Sequence, residues 1–397
     1  MPEPPADLNG AVILQVLPAL GGGGVERGTV EMAQAIARAG GTALVASAGG
    51  RMAPLVAGAG GRNVPLPLDT KNPLAVWRNA ARLEAVMRAE GVRLVHARSR
   101  APAWSAWLAA RRAGVPFVTT YHGAYGENVP GKRRYNAVMA RGVRVIAISR
   151  FIADLIIRRH GVDPARIRVI PRGVDPAVFD PGAVAPARVR QLAEAWRLPE
   201  GRPVVMLPGR LARWKGQGVL LRALAGREAV CVLVGDAGRH PAYAGELAAA
   251  AGRCAVDLRL VGHCDDMPAA LMLADVVVSA STEPEAFGRV VIEAQAMARP
   301  VIAPAHGGAA ETVEDGATGL LVPPGDTVAL GAALDRVLAM PAAERAALGV
   351  RARAAVLATY TVAAMQLATL SVYREVLWRM PQTWAEPPST NNSLPFT

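Results

Sequence analysis

The chain has 397 residues, 52% hydrophobic and only 5% aromatic, with a formal net charge of +12. That length accommodates two domains of ordinary size, and the Ala-, Val- and Leu-rich composition excludes a disordered chain in favour of a globular α/β protein. The charge is uneven: residues 1–178 hold 24 Lys/Arg against 11 Asp/Glu, or +13, while the remainder holds 20 against 21, or −1, so an anionic partner is expected on the N-terminal half.

In chain order, short apolar runs alternate with helical patterns. "AVILQVLP" (11–18), "TALVAS" (42–47), "LVHARS" (94–99), "PFVTTYHG" (116–123) and "RVIAIS" (144–149) read as buried parallel strands, each followed by a helix-like segment such as "GTVEMAQAIARAG" (28–40). A Pro/Asp/Gly-rich bridge, "PRGVDPAVFDPGAVAP" (171–186), precedes a second series: "PVVMLPGRL", "AVCVLVGDAG", "LRLVGH", "DVVVSAS", "PVIAPAHGG" and "GLLVPPGD". Strand–helix alternation of this kind predicts parallel sheets with helices on both faces, here as two Rossmann-like domains facing across a cleft. The domains are expected at 1–178 and 179–359, with a return helix at 360–378 completing the first and a disordered, Pro/Ser/Asn-rich tail at 379–397. The uncharged stretch 354–373, "AAVLATYTVAAMQLATLSVY", carries three Thr, a Gln and a Ser and reads as a buried or half-buried helix rather than a membrane span. The opening "MPEPPADLNG" lacks a basic start and an apolar run, so no signal peptide and a cytoplasmic location are expected. Cys231, Cys254 and Cys264 form no C-x-x-C pair and read as reduced structural thiols.

In open α/β sheets, ligands bind beyond the carboxyl ends of the strands, so the residues just after each strand carry the information. "LPALGGGGVERG" follows the first strand and opens a helix, a place where glycines admit a ligand to the backbone and helix N–H groups suit phosphate. It is not a dinucleotide fingerprint: after Gly22 and Gly24, Arg27 stands where the third glycine belongs, and the second strand ends in "SAGG" with no acid for a ribose. "GENVPGKR" (126–133) resembles a P-loop, but Arg133 replaces its Ser/Thr, so it is read as a basic surface patch. In "PGRLARWKGQG" (208–218), Arg210 and Lys215 lie on a turn entering a helix, two cations beside orphan N–H groups that form a diphosphate clamp; a solvated basic loop is the alternative. Asp265 and Asp266 of "CDDMP" read as helix caps rather than metal ligands, and no metal is assigned. "AHGGAAE" (305–311) places Gly307 and Gly308 after a strand, as an anion nest or an ordinary turn.

The order and spacing of these signals are more specific than any one of them. G-G-x-E-R in the glycine loop, Tyr-His-Gly at 121–123, "VIPRGVD" before the bridge, G-R-L-x-x-x-K-G, E-x-F-G-x-x-x-x-E and G-G-x-x-E together resemble glycosyltransferase family 4 over residues 10–378. The resemblance implies the GT-B fold and a retaining, metal-independent transfer of a hexose from a nucleoside-diphosphate sugar, with no cofactor. It implies that Arg210 and Lys215 hold the diphosphate, Glu293 the ribose hydroxyls and Glu285 the donor sugar. Phe287 and Gly288 would touch sugar or phosphate through their backbone, and His122 would reach the sugar from the N-domain. Gly22, Gly23 and Gly24 would face diphosphate or acceptor, and Gly209, Gly235, Gly262, Gly307 and Gly308 would line the donor site. The usual P-N-G-V-D before the bridge has Arg172 in place of Asn, which bears on the subgroup. With the basic N-terminal half, the resemblance implies an anionic glycan or glycolipid acceptor, such as a lipopolysaccharide core or lipid carrier, peripheral contact with the inner membrane, and no nucleic acid. An NAD(P)-dependent oxidoreductase or epimerase is the alternative.

Glu285 and Glu293 invite a general acid/base reading. Eight helical residues, however, span about 12 Å and turn two side chains roughly 80° apart, too remote for one bond. Glu285 is therefore expected on the loop after "DVVVSAS", with Glu293 inside the following helix.

Overall fold

A computed structural model of the chain describes residues 7–237 and 241–379; the first six residues and the tail from Met380, expected to be disordered, lie outside them. The chain forms two compact units, one taking the chain up to Pro171 and again from Ala363, the other Arg172–Val362. Residues 172–178, assigned from sequence to the first domain, thus go with the second.

The first unit holds a parallel sheet of seven strands: β1 (Val12–Val16), β2 (Thr42–Ser47), β3 (Gly61–Pro65), β4 (Val92–Ala97), β5 (Phe117–Tyr121), β6 (Arg144–Ala147) and β7 (Ile167–Val169). Their order is β3-β2-β1-β4-β5-β6-β7. The central strands are apolar runs because helices cover both faces: Ile13, Leu14, Leu44, Val45, Leu94 and Val95 are fully buried. β3 and β7 were not anticipated. Both are edge strands; "GRNVP" is only half-buried and reads as a turn, and "IRV" is three residues long.

The second unit holds a parallel six-stranded sheet: β8 (Val204–Pro208), β9 (Val230–Val234), β10 (Asp257–Gly262), β11 (Val276–Val278), β12 (Val301–Pro304) and β13 (Leu320–Val322). Its order is β10-β9-β8-β11-β12-β13. Each expected strand of this series is present. Cys231 lies buried in β9, and burial pushes its thiol up to about 12, as suits an inert structural cysteine.

The stretch read as one helix over 354–373 is two, Ala342–Thr359 and Val362–Arg374. The break is imposed from far away in sequence. Val174 donates to the Tyr360 carbonyl at 2.9 Å and accepts from Val362 N at 3.0 Å, taking backbone groups a continuous helix would use. The second helix packs on the first unit through Tyr373, whose hydroxyl is hydrogen-bonded to His96 Nδ1 at 2.6 Å, while His96 Nε2 is bonded to the Thr120 hydroxyl at 2.7 Å. Next to it, Glu375 accepts from Arg144 Nη2 at 2.6 Å and Arg168 Nη2 at 2.7 Å. Among the described residues no helix is long and apolar enough to cross a membrane.

Candidate functional site

Each sheet reverses its strand order once, between β1 and β4 and between β8 and β11. At such a switch point the adjoining loops run in opposite directions and leave a crevice at the carboxyl edge. The residues singled out from sequence lie at the carboxyl edge of one sheet or of the other, each sheet in its own unit.

In the second unit the loop after β8 makes a 3₁₀ turn, Arg213–Lys215, and enters the helix Gln217–Ala223 through Gly216. The loop after β11 runs to Glu285, and the helix Arg289–Ala296 follows. Two contacts tie the loops together across the switch point. Thr282 N donates to the Trp214 carbonyl at 2.8 Å. Lys215 Nζ meets Glu285 Oε1 at 2.8 Å, with the two side chains only 16% and 13% exposed. Gly216 permits this approach: at φ +73° a Cβ there would lie 1.8 Å from the Ala280 carbonyl oxygen. The Lys215 ammonium also sits 4.6 Å from the Trp214 ring centroid, and its stem runs 3.9 Å from where a Cβ on Gly209 would stand.

Arg210, on the same loop, is exposed, and its carbonyl accepts from Gln217 Nε2 at 2.9 Å. Glu285 accepts a short hydrogen bond from Ser281 Oγ and a longer one, 3.5 Å, from Ser279 Oγ. The Ser281 carbonyl is in turn bonded to His306 Nε2 at 2.9 Å. Ser281 and His306 were not singled out from sequence; the hydroxyl-rich run "SAST" after β11 was the signal for the first, and the second stands inside "AHGGAAE", where only the glycines were read.

Gly307 and Gly308 pack on the Glu285 segment. Gly308 N donates to the Glu285 carbonyl at 2.8 Å, and a Cβ on Gly307, at φ +64°, would come within 2.6 Å of that oxygen. These glycines therefore serve close backbone packing beside the carboxylate. Gly209, Gly235 and Gly262 stand in rank at the ends of β8, β9 and β10: Gly209 N donates to Val234 O at 2.8 Å and Gly235 N to Gly262 O at 2.7 Å. Phe287 is buried with its ring 5.8 Å from that of Tyr360, and Gly288 caps the helix that carries Glu293. Glu293 is one turn inside that helix, 3.5 Å from Arg289 Nε. Glu285 is thus on the loop and Glu293 in the helix, as expected. Asp266, from the "CDDMP" pair, caps the helix Met267–Met272 by accepting from Ala269 N at 3.2 Å and pairs with Arg188 at 2.6 Å.

In the first unit Gly22 and Gly23 precede the helix Gly24–Arg38, whose N-cap is Gly23. Arg51, just beyond β2, reaches this loop and donates from Nε to the Gly21 carbonyl at 2.7 Å. It is a cation at the glycine loop that the motif reading did not include, although "SAGGR" ends the neighbouring strand. His122 follows β5, and its backbone N–H donates to the Tyr125 hydroxyl at 3.3 Å. Arg172 is buried.

Comparison with known proteins places this architecture. Residues 22–178 match the sequence model described as Glycosyltransferase Family 4, and residues 189–355 that of Glycosyl transferases group 1. The chain is 36% identical over 286 residues to the D-inositol 3-phosphate glycosyltransferase of Salinispora tropica, covering 64% of this chain and 59% of the relative, so it spans less than two thirds of that protein's length. A glycosyltransferase from Rickettsia africae superposes with a TM-score of 0.86 at 34% identity, covering 94% of this chain and all of that one. Anabaena HepE, crystallised with UDP and glucose, superposes with a TM-score of 0.79 at 25% identity over 91% of this chain and 98% of its own.

Proposed function

Because the chain belongs to glycosyltransferase family 4, we propose that it transfers a hexose from a nucleoside-diphosphate sugar to an anionic acceptor, with retention at the anomeric carbon and without a metal ion. The observation that carries this reading is the pair formed by Lys215 and Glu285 at the second sheet's switch point, with Arg210 on the same loop. Breaking the bond between the sugar and the diphosphate leaves its electron pair on a phosphate oxygen. Cations held at the site stabilise that charge, and to Arg210 and Lys215 we assign this work. Glu285 is assigned to the sugar hydroxyls, Glu293 to the ribose, the backbone of Phe287, Gly288, Gly307 and Gly308 to sugar or phosphate, and His122 to the transferred sugar.

A UDP-hexose is the first donor to test, since Anabaena HepE was crystallised with UDP and glucose; GDP-mannose is the second. For the acceptor, the curated relative is named for a phosphorylated cyclitol, and the charge of +13 on residues 1–178 favours a phosphorylated or otherwise anionic glycan or glycolipid. Contact with an anionic inner-membrane leaflet is supported by the helix Pro73–Ala89, where Leu74 and Trp77 are 69% and 58% exposed. Lys71, Arg78 and Arg82 are exposed around them, and apolar anchors within a basic rim suit such a surface. Nucleotide release across a panel of sugar donors, with a phosphorylated acceptor present, tests the reaction. Release from no donor would refute it, as would full activity in both Lys215→Ala and Glu285→Gln.

A further inference from the structure

We propose that Tyr125 is the positioning residue for His122, fixing the turn that presents its imidazole; this rests on the assignment of His122 to the transferred sugar. The segment 122–131 has no regular secondary structure and contains Gly123, Gly126 and Gly131. Such a segment holds one conformation only if side chains pin it. Tyr125 does so with every part of itself. Its hydroxyl accepts from the His122 N–H at 3.3 Å, its own N–H donates to the Gly123 carbonyl at 2.9 Å, and its carbonyl accepts from Arg159 Nη1 at 2.6 Å. Its ring meets the Tyr121 ring at the end of β5, centroids 4.5 Å apart, and the Arg100 guanidinium carbon stands 4.0 Å from its centroid.

The partners are themselves fixed. Arg100 Nη1 donates to Asn136 Oδ1 at 2.9 Å, and the Asn136 amide donates to the Gly126 carbonyl at 3.3 Å. Arg133 Nε donates to the Arg159 carbonyl at 2.8 Å. Burial holds the Tyr125 phenol above its ordinary range against the opposing pull of Arg100. The turn 122–125 is closed by a side chain on its own fourth residue, and the backbone position of His122 follows the seating of that ring.

A displacement of about 1 Å at a substrate-positioning group costs on the order of 100-fold in rate. Steady-state sugar transfer and thermal unfolding are measured for Tyr125→Phe, Tyr125→Ala, His122→Ala and the two double variants. Tyr125→Ala should lower kcat about 100-fold and Tyr125→Phe about three- to tenfold, with the donor KM within about twofold of the parent. In the His122→Ala background both Tyr125 substitutions should change kcat less than about twofold, because a residue acting through another has nothing left to position. A merely structural tyrosine would cost as much with His122 absent as with it present, and that result overturns the inference. So does an undiminished kcat in Tyr125→Phe when His122→Ala is impaired. If Tyr125→Ala does not fold, Tyr125→Phe, which keeps the ring stack, decides. Full activity in His122→Ala would instead remove the assignment of His122, and the inference with it.

Discussion

The Lys215 ammonium assigned to the diphosphate is paired with an anion of the chain itself, the carboxylate of Glu285 at 2.8 Å. At that separation the Coulomb attraction is about 1.5 kcal/mol if screened as in water and about 6 kcal/mol at an effective dielectric constant near 20. The low exposure of both side chains, 16% and 13%, sets it above the water limit, while the cost of desolvating both ions reduces the net value. An incoming diphosphate must draw Lys215 away from this partner or share it, and it meets the carboxylate's repulsion as well. Glu285→Gln keeps the shape and an oxygen to accept from Ser281 Oγ, but removes the competing charge. If about 1 kcal/mol of the attraction is released to the ligand, UDP binds about fivefold tighter. Transfer falls at the same time, because the carboxylate assigned to the sugar is gone. Lys215→Ala should act oppositely on affinity, weakening UDP by about 10- to 150-fold, the worth of a charge-assisted hydrogen bond of about 1.5–3 kcal/mol. Calorimetric titration of UDP into both variants measures this directly. Weaker or unchanged UDP binding in Glu285→Gln would refute the view of Glu285 as a placeholder for the leaving group.

Three further outcomes are expected. Tyr373→Phe leaves the buried His96 Nδ1 without its hydroxyl partner, a loss of about 1–3 kcal/mol that should lower the melting temperature by several degrees; an unchanged melt would mean that this contact does not anchor the return helix. His96 is held well below its ordinary 6.5, first by burial and then by the Arg98 cation, and His160 is lowered, also mainly by burial. Below pH 6.5 the unfolded chain therefore binds more protons than the folded one. Stability should be full above pH 6.5 and fall as pH drops below it. A second loss should begin below pH 4.5, where the unfolded chain's carboxyl takes up a proton that Glu375, held low chiefly by its hydrogen bond from Arg144, does not. A melting temperature flat from pH 7 to 5.5 would contradict the histidine arm. Lastly, Leu74→Ser with Trp77→Ala should reduce sedimentation with anionic vesicles at low salt, and equal binding of the parent to neutral and anionic vesicles would sink the membrane contact.

The strands that carry the site were legible because parallel strands covered on both faces must be nearly continuous apolar runs, as in "VVMLP" and "VCVLV". Edge strands need not meet that requirement: β10 and β13 kept enough apolar residues to be read, whereas the half-buried "GRNVP" of β3 and the three-residue "IRV" of β7 left no such trace. Glu285 could be set on a loop and Glu293 in a helix because the Phe-Gly step interrupts the pattern between them. The ion pair of Glu285 with Lys215 joins residues 70 positions apart and could not be read from either motif. Arg51 at the glycine loop is a similar case, since its place there depends on β2 lying next to β1.

By itself the sequence determined the two parallel-sheet units, the strand ends on which the site residues sit, and the family to which they belong, because burial periodicity and motif spacing are local properties. Only the tertiary structure decided which cation meets which carboxylate and where the helix at 354–373 breaks. It also decided that a tyrosine near the C-terminus bonds a histidine on β4. The first depends on strand order, because a switch point brings together loops whose separation along the chain carries no trace of their contact; the other two depend on bonds between segments far apart in sequence, Val174 with Tyr360 and Val362, and His96 with Tyr373.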